Sequence, residues 1–147
     1  STVYQEVNLC PNLTVAENLF IGREPRKLGM INWSEMNARS RKLLQSLDIE
    51  VTPTTLLDEC SIAIQQMIAI ARAVDMECKV LILDEPTSSL NDEDAKMLLD
   101  LLMEFKKQGL TSIIITHKLN EIIYCADLVP FFETEAQSRH LQKAWMT

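Results

Sequence analysis

The sequence predicts an α/β fold containing parallel strands. Three observations carry that reading: the apolar run KVLILD at 79–84, the apolar run TSIIIT at 111–116, and a helix-patterned segment between them. Strand, helix, strand in that order makes a βαβ unit with a parallel pair. Runs that are apolar without alternation suit strands covered on both faces.

The elements follow in chain order. Thr14 and Glu17 have the spacing of a capping box ahead of Val15, Ala16, Leu19 and Phe20, and Gly22 can close that short helix. A loop with Pro25 and Gly29 comes next. Asn32 with Glu35 is a second start signal, and Met36, Leu43, Leu44 and Leu47 give one apolar stripe. Thr52-Pro-Thr-Thr is a break. From Ser61, SIAIQQMIAIARAV reads as a largely buried helix of about 13 residues. The first 75 residues therefore look helical. After the strand at 79–84, Asn91 caps a helix with Asp92, Glu93 and Asp94 in its first turn and Lys106 and Lys107 in its last. Those signs suit the helix dipole, and Gly109 stops the helix. Its stripe is Ala95, Leu98, Leu99, Leu102 and Phe105. A short helix from about Lys118 to Cys125 follows the second strand.

Composition narrows the partners. The 147 residues are enough for one core, and 47% hydrophobic with 24% charged residues is ordinary for a globular chain. A net charge of −7 argues against nucleic acid, whose phosphates demand clustered Lys and Arg. No apolar run approaches the roughly 18 residues of a membrane span. Cys10, Cys60, Cys78 and Cys125 form no C-x-x-C pair, and His117 and His140 are the two histidines, so free thiols are expected rather than zinc.

The chemistry gathers at strand ends. In open α/β sheets ligands collect outside the carboxyl ends of parallel strands. Asp84-Glu85 closes one run and Thr116-His117 the other, so neighbouring strands would bring two acids and an imidazole to one rim. Asp84 can hold Mg²⁺ through water, Glu85 can polarise a water for attack on a phosphoryl group, and His117 can contact the transferred phosphate. A plain turn, with Asp84 accepting backbone N–H bonds, is the alternative for an isolated Asp-Glu pair.

These residues resemble the ATP-binding cassette (ABC) ATPases. LILDEPTSSL is similar to their Walker B strand and D-loop, TSIIITHKLNEI to the histidine switch, VYQE to the Q-loop, and ECSIAIQQMIAIARAV to the signature loop and following helix. NLTVAENLFIGREP and the SIAIQQM signature resemble the bacterial monosaccharide importers of the ribose, galactose and xylose type, first cassette. The resemblance implies a partial P-loop NTPase (RecA-like) core with a helical subdomain. It would divide the chain into 1–78 (Q-loop, helical subdomain, signature helix), 79–129 (βαβ part of the nucleotide core) and 130–147 (divergent tail). By the same resemblance Gln5 touches Mg²⁺ and the attacking water, Asp84 binds Mg²⁺, Glu85 is the catalytic base and His117 clamps the γ-phosphate of ATP. Ser61 and Asn91 would meet nucleotide held across a cassette pair. Implied partners are a membrane permease, a second nucleotide-binding cassette and, indirectly, a periplasmic or extracellular sugar-binding protein. The implied location is the cytoplasmic face of the cell membrane, with no nucleic acid involved.

Departures from the family pattern matter as well. No G-x-x-x-x-G-K-[ST] occurs: Gly22, Gly29 and Gly109 precede Arg23, Met30 and Leu110. The resemblance puts that loop upstream of Ser1, which makes the chain a fragment expected to bind MgATP very weakly alone. Cys60, Ala63 and Ile64 alter the signature, Asn91 replaces a common Asp, and the tail after Val129 matches no family pattern and is expected to be poorly ordered. Uncovered sheet surface is expected to favour self-association. The alternatives are a catalytically silent module that docks on a permease or regulates a full cassette, or a non-transport ABC protein.

Overall fold

A computed structural model describes residues 3–5 and 9–127. The chain forms two compact units, 1–117 and 118–147. The first holds a three-stranded parallel sheet, four α-helices and a small hairpin.

Strand β1 (Val3–Gln5) leads, by way of the turn at Cys10–Thr14, into α1 (Val15–Phe20). Thr14 caps α1 reciprocally: its hydroxyl accepts from the Glu17 N–H at 3.3 Å, and its own N–H donates to Glu17 Oε2 at 2.8 Å. Val15, Ala16, Leu19 and Phe20 are at most 1% exposed. The helix ends as the sequence predicts, with Gly22 at φ +75°. Asn18, polar inside this apolar helix, is also fully buried. Its Oδ1 accepts from the Cys10 N–H at 2.7 Å and its Nδ2 donates to the carbonyls of Cys10, Leu13 and Thr14, which ties the preceding turn to the helix.

Residues 25–32, expected to be a loop, instead form the antiparallel hairpin β2 (Arg26–Lys27) and β3 (Met30–Ile31). Helix α2 (Trp33–Ser46) starts on the Asn32 cap and buries Met36, Ser40 and Leu44, spaced four apart along one face. A 3₁₀ turn at Leu57–Glu59 precedes α3 (Ile62–Asp75), whose buried face includes Ala63, Met67, Ile68, Ile70 and Ala71. Arg23 fastens the end of α1 to the end of α3 through a 2.7 Å ion pair with Asp75.

Strand β4 (Val80–Asp84), α4 (Asp92–Lys107) and β5 (Thr111–Ile115) are the predicted βαβ unit, and both strand pairings are parallel. The sheet order is β1-β4-β5, with Gln5 opposite Ile82 and Asp84 opposite Ile115. The first 75 residues are thus not wholly helical, since β1 pairs with β4. The strands also depart from the expectation of cover on both faces. Burial along β5 alternates, and Ile113 and Ile115 are 48% and 53% exposed. The pleat places Asp84 on the same sheet face as those two isoleucines.

The second unit contributes α5 (Leu119–Cys125). The tail at 130–147, expected to be poorly ordered, lies outside the described residues. The cysteines are free thiols.

Candidate functional site

Each strand of the βαβ pair stops being apolar at the same rim of the sheet. The ladder runs one residue past β4, because the Glu85 N–H donates to the Ile115 carbonyl at 2.8 Å. The chain then turns sharply: Glu85 sits at φ +43°, a left-handed conformation unusual for a side chain with a Cβ. Buried Pro86 and Thr87 hold the turn from below, and the Ser88 N–H donates to the Glu85 carbonyl at 3.1 Å. The effect is to lift the Glu85 carboxylate off the end of β4 towards the second residue past the end of β5.

That residue is His117. Its Nδ1 lies 2.8 Å from Glu85 Oε1, with the side chains 71% and 46% exposed respectively. A carboxylate on Nδ1 selects the tautomer that carries its proton there, leaving the Nε2 lone pair facing outward; on protonation Nε2 becomes a donor. Oε2 of Glu85 keeps its acceptor capacity. Neighbouring Asp84 is exposed at the end of β4, and its carboxylate makes no hydrogen bond or ion pair among the described residues. A base, an imidazole and an unpaired hard-oxygen ligand therefore share one rim. The segment does form a turn, but Asp84 accepts none of the backbone N–H bonds that the plain-turn alternative gives it among the described residues, and Glu85 reaches a side chain 32 residues away.

The remaining candidates are placed as follows. Gln5 ends β1 in register with Ile82, so β1 points along the same direction as β4; its side chain lies outside what the structure describes. Ser61 caps α3, its Oγ accepting from the Ile64 N–H at 3.3 Å, and no hydrogen bond joins it to Glu85 or His117. Asn91 caps α4, its Oδ1 accepting from the Asp94 N–H at 2.8 Å and its Nδ2 donating to Asp94 Oδ2 at 3.0 Å. Its side chain is thus engaged in a structural role already. No group of three His, Cys, Asp or Glu side chains suited to a metal occurs among the described residues. One exposed carboxylate fits a cation that keeps most of its waters and shares phosphate oxygens with a nucleotide, which is the habit of Mg²⁺.

A cavity of about 540 Å³ lies elsewhere, between the end of α2 and the 48–54 segment, lined by Arg41, Leu44, Asp48, Glu50 and Thr52 among others. None of the strand-end residues Asp84, Glu85 and His117 lines it. Sequence reasoning did not foresee the left-handed backbone of Glu85, for which a non-glycine residue between a strand and a proline gives no signal.

Comparison with known proteins places this geometry. A family model described as ABC transporter matches residues 1–88. The L-arabinose transport ATP-binding protein AraG of Geobacillus stearothermophilus is 50% identical over 127 residues, 86% of this chain and 25% of that protein. The galactofuranose transporter ATP-binding protein YtfR of Escherichia coli K12 is 44% identical over 128 residues, 87% of this chain and 26% of the relative. This chain thus spans about a quarter of the length of these curated relatives. Among solved structures, the ATP-binding cassette MJ0796 in a dimeric post-hydrolysis state with ADP and Pi superposes with a TM-score of 0.62 at 26% identity, covering 83% of this chain and 53% of that one.

Proposed function

This chain belongs to the ABC transporter family, and we propose that it forms part of the ATP-binding subunit of a bacterial monosaccharide importer, working with ATP and Mg²⁺. The observation that carries the reading is the 2.8 Å contact between Glu85 and His117 at the carboxyl end of a parallel strand pair, with Asp84 beside it. Relatives with arabinose, galactofuranose and xylose transport in their names support the solute class.

In this reading Asp84 holds the cation, which when bound draws charge from the phosphate oxygens. Glu85 orients a water through its carboxylate and takes its proton as the water attacks the terminal phosphoryl group, whose bond to the bridging oxygen breaks so that ADP and phosphate leave. His117, fixed through Nδ1, donates from a protonated Nε2 to the same phosphate. Gln5, on the strand beside β4, reports the state of the site to the permease. Ser61 stands where a helix N-terminus favours an anion and serves nucleotide held by a second cassette, with Asn91 at the neighbouring turn. The helical segment between Gln5 and Ser61 docks on a membrane permease at the cytoplasmic face, and a sugar-binding protein acts on the other side. Phosphates must be cradled by residues outside these 147, since the glycine-rich loop for it is not among them.

The test joins the upstream part of the arabinose relative to Ser1 and measures Mg-dependent ATP hydrolysis. Glu85→Gln is expected to lower turnover on the order of 10²-fold while nucleotide binding persists. A Glu85→Gln chimera that hydrolyses at the parental rate would refute the assignment. The 147-residue chain alone is expected to bind ATP very weakly, so micromolar affinity there would refute the need for an added phosphate loop. A chimera that binds ATP without turning it over would instead favour a silent permease-docking module.

A further inference from the structure

The β2–β3 hairpin does not contribute to the strand-end site, and it carries one of the exposed apolar surfaces of the described residues, beside those of β5 and α5. Leu28 at its tip is 92% exposed, Met30 72%, Trp33 50% and Ile31 36%, so apolar exposure rises towards the turn. The turn itself is costly. Leu28 and Gly29 have φ of +53° and +83°, the doubly left-handed geometry of a two-residue hairpin turn that Asn or Gly would fill with less strain. A leucine there costs about 1–2 kcal/mol, and a side chain 92% exposed recovers almost none of it by packing.

Charge sharpens the picture. PRKLGMINWS, residues 25–34, holds Arg26 and Lys27 and no acidic residue, in a chain with 21 of them. Two acids flank the segment: Glu24 accepts from the Gly22 N–H at 2.8 Å, which lowers its pKa with a smaller pull from Arg26, and Glu35 accepts from Asn32 Nδ2 at 2.9 Å. Pairing sets Arg26 opposite Ile31 and Lys27 opposite Met30, so each face of the hairpin joins a cation to an apolar side chain. The base is firm: the Asn32 N–H donates to the Pro25 carbonyl at 2.7 Å, and the Asn32 side chain caps α2.

We propose that this hairpin is a wedge that inserts into an anionic phospholipid surface. Leu28 and Met30 would enter the headgroup–acyl boundary, Trp33 would lie at its edge, and Arg26 and Lys27 would meet lipid phosphates. A fluid interface surrounds a protrusion on all sides, whereas a protein groove would meet one face; cation–apolar pairs on both faces favour the former. The hairpin lies within the segment proposed above to dock on a permease, and the inference adds a lipid contact to that role; it needs no nucleotide.

The test is vesicle flotation of the full chain with a Trp145→Phe background, which leaves Trp33 as the fluorescent reporter. Phosphatidylcholine vesicles are compared with phosphatidylcholine–phosphatidylglycerol vesicles at low and high salt. Co-flotation with the anionic vesicles, weakened by salt and accompanied by a blue shift of Trp33, is expected. Reversing both charges with Arg26→Glu and Lys27→Glu is expected to weaken binding at least about tenfold. Leu28→Gly is expected to weaken it about tenfold as well, yet it relieves the left-handed strain, so lost binding there cannot be ascribed to unfolding. Equal binding to neutral vesicles, binding to neither (which would leave an acidic protein partner), or undiminished binding by Leu28→Gly would overturn the proposal.

Discussion

Replacing Asn18 isolates the contribution of one buried amide to the path between β1 and the helices. Four hydrogen bonds involve its side chain, but they are not equally exposed to loss. The Cys10 carbonyl also accepts from the Leu13 N–H at 3.1 Å, the Leu13 carbonyl from the Leu57 N–H at 3.0 Å, and the Thr14 carbonyl from the Asn18 N–H at 3.0 Å. Asn18→Ala therefore leaves one group stranded, the Cys10 N–H. An orphaned buried donor costs about 1–3 kcal/mol; with a urea slope of about 2 kcal/mol/M, a loss of about 2 kcal/mol lowers the unfolding midpoint by about 1 M. Asn18→Asp separates the effects further. It restores an acceptor for Cys10 but sets a buried carboxylate against three carbonyl oxygens, which raises its folded pKa. The protonated form is then favoured in the fold, so its stability relative to Asn18→Ala is greatest at pH below the ordinary Asp value and is lost as pH rises through the raised one. Urea melts followed by circular dichroism at neutral and mildly acidic pH read both changes. A midpoint unchanged in Asn18→Ala, or Asn18→Asp more stable than Asn18→Ala at neutral pH, would refute the reasoning.

Two further outcomes follow from the helical region. Arg23→Ala removes the Asp75 ion pair, the bond from Nη2 to the Leu19 carbonyl at 2.8 Å and the guanidinium near the Phe20 ring, so a loss of about 1–2 kcal/mol in urea melts is expected. Arg23→Lys, which keeps charge but not the fork, should recover only part of it. Cys60 is held protonated by burial, with Glu59 and Asp58 adding to the upward shift of its thiol. Peptide mass analysis after iodoacetamide at mildly alkaline pH should find Cys60 alkylated more slowly than free glutathione. Because its folded pKa is raised above 9.0, the matching stability is present below that value and lost as pH rises through the folded one.

Much of the architecture was legible because the caps are local. Thr14, Asn32, Ser61 and Asn91 each accept from the N–H three residues on, as their spacing to Glu17, Glu35, Ile64 and Asp94 implies. The βαβ unit was legible from two apolar runs, and the Glu85–His117 contact from the polar residues that end them. Short pieces were not. Three residues in β1 and two in each hairpin strand give no period to read, and a leucine in a left-handed turn hides the turn. An unbroken apolar run also reads the same whether both faces are covered or one lies open, as at Ile113 and Ile115. The burial of Asn18 gave no signal because its partners are backbone groups, which any sequence supplies.

The left-handed backbone at Glu85 carries an evolutionary implication. Glycine or asparagine would occupy that φ with less strain, so a chain released from selection for hydrolysis gains stability by abandoning the acid. If Glu85 has the proposed role, an intact glutamate at this turn is what selection for that role would keep, since drift alone pushes the position towards residues that relieve the strain.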